Sequence, residues 1–231
     1  MIKILKRYPI IGPLLWLVST QYFFIQAAVA SRAPHYSILS DSISDLGRTN
    51  CVGSFCSPLH ATMDASFIVL GLTTILGSLI LWLKFKTNIF SAVGFLGMAI
   101  AGAGVVMVGL FPLNVHDTLH VIGTNVAFIS SNIATLILIA TLKLSSSLKR
   151  LGLVLCLISI SALIMLNTHS RFWIYQGITE RAVADTQIVW LVSFGLYALY
   201  RSIHEDSWPK LPCLRNNAKF KTSLGAGRNI E

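Results

Sequence analysis

Charge is what this chain is short of. Only 12% of its 231 residues are Asp, Glu, Lys or Arg, against roughly a quarter in soluble domains, and only nine are acidic. With 54% of residues hydrophobic, a disordered chain and a water-soluble globular domain are both excluded. Cysteine is scarce as well, four in all, too few for a disulfide scaffold. The sixteen glycines follow no collagen period. No strand-period alternation recurs, which sets aside a β-barrel. No G-x-x-x-x-G-K-[ST] or strand-borne G-x-G-x-x-G cradles a phosphate. What the chain has instead is long apolar runs and a mean hydropathy of +0.70.

A helix needs about 20 mostly apolar residues to cross a bilayer. Six stretches qualify: 9–30, 61–83, 89–112, 119–142, 149–168 and 182–203. The expected architecture is therefore an all-α, six-helix transmembrane bundle over 9–203. It has a short N-terminal segment, 1–8, an outer loop, 31–60, and a basic tail, 204–231. Lys3, Lys6 and Arg7 ahead of an apolar run ending Ala27-Ala28-Val29-Ala30 resemble a signal peptide. The run is longer than a signal core, so a retained anchor is expected.

Lysine and arginine set the orientation. With the N-terminus inside, they split 14 to 4 in favour of the cytoplasmic segments, so both termini are expected in the cytoplasm. The net charge of +9 is then mostly a topology signal, and nucleic acid is not an expected partner. The bilayer is. Cys51 and Cys56 share the outer loop, where a disulfide is permitted. The alternative is two free thiols.

Small residues in the third span (Gly94, Gly97, Gly102, Gly104 and Gly109) suit close helix packing. This span is expected at the centre of the bundle.

Acids and histidines gather at the other rim. Asp41, Asp45, Asp64, Asp117, Glu180 and Asp185 lie on the outer side, with His35, His60, His116, His120 and His169. His116 and His120 share one helical face, which continues inward as Thr124, Ser131 and Thr135. A polar stripe on a membrane helix faces protein or water. Two readings stay open. One is a divalent metal such as zinc on His116 and His120, completed by His60, Asp64, His169 or Asp185, and acidifying a water for lipid hydrolysis. The other is a set of polar groups that satisfy one another at an aqueous interface. Arg181, with five donors and a permanent charge, is expected to pair with Asp45 or Glu180. Asn132, near mid-membrane, is expected to bond another helix.

Four segments carry a family likeness. They are Tyr36-Ser-Ile-Leu-Ser-Asp-Ser-Ile-Ser-Asp-Leu-Gly47, then Ser57-Pro-Leu-His60 with Asp64-Ala-Ser-Phe-Ile-Val-Leu-Gly71, then Gly109-Leu-Phe-Pro-Leu-Asn114 with His120, and finally Gly177-Ile-Thr-Glu-Arg181 with Trp190. The ordered set resembles the bacterial and archaeal family called domain of unknown function 998. That resemblance implies six membrane helices and no established activity, with Ser44, Asp45, His120, Glu180 and Arg181 as the matching motif residues; a bacterial inner membrane is the expected location. A more distant likeness is to the CREST superfamily of membrane hydrolases, an analogy only. Together these make Asp45, Asp64, His120, Glu180, Arg181 and Asp185 the candidate site for a small ligand or lipid headgroup. The alternatives are a metal-assisted hydrolase and a small-solute transporter. Transport favours paired polar sites at midplane, whereas the polar groups here collect at one rim.

Overall fold

The computed structural model describes residues 10–51, 56–85, 87–168 and 175–204. The basic tail beyond His204, the segment 1–8 and His169 lie outside the described residues. Within them the chain is helical and without strands. Its helices are α1 (Ile11–Val18), α2 (Gln21–Ala30), α3 (His60–Phe85), α4 (Ile89–Leu110), α5 (Asp117–Thr141), α6 (Ser146–Asn167) and α7 (Gln176–His204). A 3-10 turn, Ser44–Gly47, sits in the long loop between α2 and α3. Taking α1 and α2 as one, six helices among the described residues are long and apolar enough to cross a membrane.

Local chemistry sets the ends. Asn88 and Ser91 form a reciprocal cap that satisfies free N–H groups opening α4. Ser145 caps α6. Pro112 follows the end of α4, where its ring cannot continue a helix. Two boundaries differ from the hydropathy reading. The first span is broken at Ser19-Thr20, where Ser19 and Thr20 N–H groups turn to carbonyls only three residues back. The last helix opens at Gln176 rather than 182. Glu180 and Arg181 lower the apolar score of its first turns, but they find partners there, and the helix extends through them.

The helices neighbour one another in a closed order. α3 touches α1 and α2, α4 lies between α3 and α5, α6 between α5 and α7, and α7 returns to α1. Helix α4 packs on two sides through its glycines. A Cβ on Gly102 would meet the Gly71 carbonyl of α3 at 2.7 Å, and one on Gly104 would meet the Gly123 carbonyl of α5 at 2.5 Å. Backbones this close need glycine. Between α3 and α4, only its absent side chains let the helices touch.

Two cores result. Away from the long loop, Trp16, Phe95, Leu138, Trp190 and Phe194 interlock. At the loop end, Tyr22, Met63, Phe67 and Ile188 surround Ile43 and Leu46 of the 3-10 turn, which are 1% and 0% exposed. The loop is thus a plug whose two apolar side chains enter the bundle, each burial stabilising by about 1.5–3 kcal/mol. Its far side is closed by a Cys51–Cys56 disulfide. Ser57 Oγ also donates to the Leu46 carbonyl at 2.6 Å.

Candidate functional site

The plug carries Ser44 into the end of the bundle, where two helices meet it. From α7, Glu180 takes the Ile43 N–H at 2.9 Å on Oε2 and the Ser44 hydroxyl at 3.3 Å on Oε1. From α5, His120 places Nε2 at 2.8 Å from Ser44 Oγ. The other ring nitrogen, Nδ1, is 2.8 Å from the Phe111 carbonyl. A carbonyl can only accept, so Nδ1 carries a hydrogen. In the neutral ring Nε2 is then an acceptor, and it competes with Glu180 Oε1 for the single Ser44 hydroxyl hydrogen, from the shorter distance. The Phe111 carbonyl is free for this because it lies past the last turn of α4. Three segments far apart in the chain meet at one serine oxygen.

Arg181 holds the preceding stretch of loop, and it does so without a carboxylate. Nη1 donates to the Ile38 carbonyl at 3.0 Å, the Asp41 carbonyl at 3.3 Å and the Gly177 carbonyl at 2.9 Å, and Nη2 to the Tyr36 hydroxyl at 2.5 Å. The expected ion pair with Asp45 or Glu180 is corrected: among the described residues Arg181 has no carboxylate within 4.0 Å. Backbone carbonyls of an irregular loop answer its planar fork just as well. Gly177 makes room, since a Cβ there would press on the Ile38 carbonyl at 2.6 Å. The Ile178 N–H donates to the Leu39 carbonyl. Successive residues 180 and 181 therefore clasp successive pieces of one loop.

Tyr36 completes this clasp. Its hydroxyl donates toward the Ser42 carbonyl at 3.0 Å, and the Arg181 guanidinium lies 5.6 Å from its ring centre. Burial pushes the phenol up to about 12, with the Arg181 hydrogen bond pulling the other way. The folded value is above the unfolded value of about 10. The contribution to stability is therefore whole below pH 10 and is lost as pH rises through 12. In an alkaline absorbance titration, the difference between wild type and Tyr36→Phe should show one phenol titrating near 12. A Tyr36 signal near 10 would contradict the burial.

The other candidates divide. Asp45 is turned to local partners, accepting from Ser42 N and Oγ at 2.9 Å each and pairing with Arg48 Nε at 2.6 Å. Asp64 abuts Gly47 of the plug, with Oδ2 3.9 Å from His60 Nδ1. Asp185, one turn beyond Arg181, is half-buried, and its Oδ1 has no hydrogen-bond partner among the described residues. His116 does not join His120. It is exposed and set edge-on to Phe111, while both nitrogens of His120 are engaged. Among the described residues no three His, Cys, Asp or Glu groups gather.

Beneath Ser44 lies a cavity of about 80 Å³. Ile43, Ser44 and Glu180 bound one end of it. Its walls are mostly apolar, including Phe67 and Leu70 of α3, Met98 and Val108 of α4, and Ile188 of α7. The stripe Thr124, Ser131 and Thr135 faces it, but Thr124 and Ser131 donate to their own helix four residues back. Of its lining residues, the half-exposed ones fall mainly on α5 and α7: Thr124, Phe128, Ala184 and Gln187. Gln187 also joins a mid-bundle cluster. Asn132 donates to Ser159 Oγ at 2.9 Å, and Gln187 to the same oxygen at 3.4 Å. Sequence reasoning passed over Gln187, though an amide inside an apolar run was a signal.

Compared with family models, residues 10–197 match the one described as protein of unknown function, DUF998. The chain belongs to the DUF998 family. No curated protein matches it, and no solved structure does. The DUF998 match takes in the whole clasp, from Tyr36 to Arg181, with the cavity below it.

Proposed function

We propose that this DUF998 protein binds a single-chain acyl lipid, with the polar end at Ser44, His120 and Glu180 and the start of the chain in the apolar cavity. The observation that carries this is the junction of the two: a polar end wall on a narrow apolar chamber. At about 80 Å³ the chamber takes the first few methylenes of a chain, and the part-exposed lining residues of α5 and α7 leave the remainder a way to the bilayer between those helices. The excess of Lys and Arg on one side argues for a plug that faces outward and for termini in the cytoplasm. A bacterial inner membrane fits that arrangement.

Ala101 is buried and lines the chamber, so Ala101→Leu fills it without touching the clasp. Binding of a fluorescent monoacylglycerol to protein in detergent should weaken at least tenfold. The thermal midpoint should hold or rise, because filling a void restores packing contacts. Unchanged affinity in a folded Ala101→Leu protein would contradict the cavity as the binding site.

A further inference from the structure

We propose that Ser44 and His120 are a nucleophile and its base, and that together they hydrolyse the ester of the acyl lipid held below them; this rests on the cavity reading above. The geometry has the three parts that activating a serine requires. The hydroxyl is 2.8 Å from Nε2, nearer than the 3.3 Å to Glu180 Oε1, which competes for the same hydrogen. The ring is oriented by a fixed acceptor on Nδ1, the Phe111 carbonyl at 2.8 Å. The serine itself borders the chamber that would hold the substrate. Ser44 is 8% exposed and His120 3%, so the pair works away from bulk water, where a hydroxyl–imidazole contact is strengthened.

A loop latch would need the serine to bond something, but not to lie against an apolar chamber. Here a chain lying along Phe67, Leu70 and Val108 brings its carbonyl carbon to the end wall where Ser44 sits. In the reaction the Ser44 oxygen bonds to that carbon, and its proton passes to His120 Nε2. The bond from the carbonyl carbon to the alcohol oxygen then breaks, and that oxygen takes the proton from Nε2. A water from the aqueous face attacks the acyl-serine and gives its proton to Nε2. The Ser44–acyl bond breaks, and the proton returns to the Ser44 oxygen. The sum is ester plus water giving fatty acid plus alcohol, with no other reactant.

The test uses the full chain in detergent and an alkyl fluorophosphonate, which bonds irreversibly to an activated serine. Wild type treated with the dodecyl reagent should carry one adduct, mapped by peptide mass to Ser44. Ser44→Ala should carry none. His120→Gln should react about 10²-fold more slowly or worse, the scale of a lost general base. Release of fatty acid from a monoacylglycerol should fall by the same factor in both variants. Thermal unfolding of each variant checks the fold, and the wild-type adduct decides without any variant. An unmodified Ser44 in wild type that still binds the fluorescent monoacylglycerol would overturn the nucleophile while the binding reading stands. Labelling of Ser44 by a short-chain reagent, with Ala101→Leu leaving monoacylglycerol binding and dodecyl labelling unchanged, would overturn the acyl-lipid substrate instead.

Discussion

Arg181→Met is expected to free the loop from the helix bundle. Four acceptors, one buried and three part-buried, lose their donor at once: the Gly177, Ile38 and Asp41 carbonyls and the Tyr36 hydroxyl. Hydrogen bonds from a charged donor are worth about 1.5–3 kcal/mol each, and unmet buried acceptors add their own penalty. Not all of this adds, so a loss of about 3 kcal/mol is expected, confined at first to the loop. At about 1.4 kcal/mol per tenfold, hydrogen exchange over residues 36–47 should quicken roughly 100-fold. The helices α3 to α5 should change far less. Arg181→Lys should recover only part of this, since an ammonium cannot span the carbonyls and the phenol in one plane. Exchange in Arg181→Met equal to wild type would mean that the clasp does not hold the plug.

The second large effect lies between α3 and α4. Gly102→Val places a branched side chain against the Gly71 carbonyl and Ile75, both within about 3 Å of the new Cβ. Neither is the loose end of a flexible group, so the helices must part. Overpacking of this kind costs about 1–3 kcal/mol, and the separation also loosens Leu70 and Val108 along the cavity wall. The unfolding midpoint should fall well below that of Leu96→Val, a change at a position 53% exposed on the same helix, for which about 0.5 kcal/mol or less is expected. Equal midpoints would show that the close approach of Gly71 and Gly102 is not what joins these helices.

The helices were largely legible because crossing a bilayer needs length and apolarity, and both are written residue by residue. Their ends were less so. The last helix begins six residues before its apolar run, because Glu180 and Arg181 are tolerated only through partners that the loop supplies. The same loop explains the error about Arg181. Reasoning from side chains pairs charge with charge, whereas the acceptors used are main-chain carbonyls that no letter of the sequence marks. Asp45, by contrast, found Arg48 three residues along, a pairing readable locally. Ser44 and His120 were each marked by the family pattern, but their contact spans 76 residues. It exists only because Ile43 and Leu46 drive the turn into the bundle. The chamber follows from the closed order of the helices, which hydropathy does not encode.

The central claim is that an acyl chain enters the bundle beneath the plug. A monoacylglycerol with a photoreactive diazirine close to the carbonyl end of its chain tests it most directly. Irradiated with the folded protein and mapped by peptide mass, it should mark the lining residues Phe67, Leu70 or Val108. The mark should be lost in Ala101→Leu. Marks confined to Leu96, Leu157 and Leu196, which are exposed on the outside of the bundle, would place the lipid around the protein rather than in it and would contradict the account.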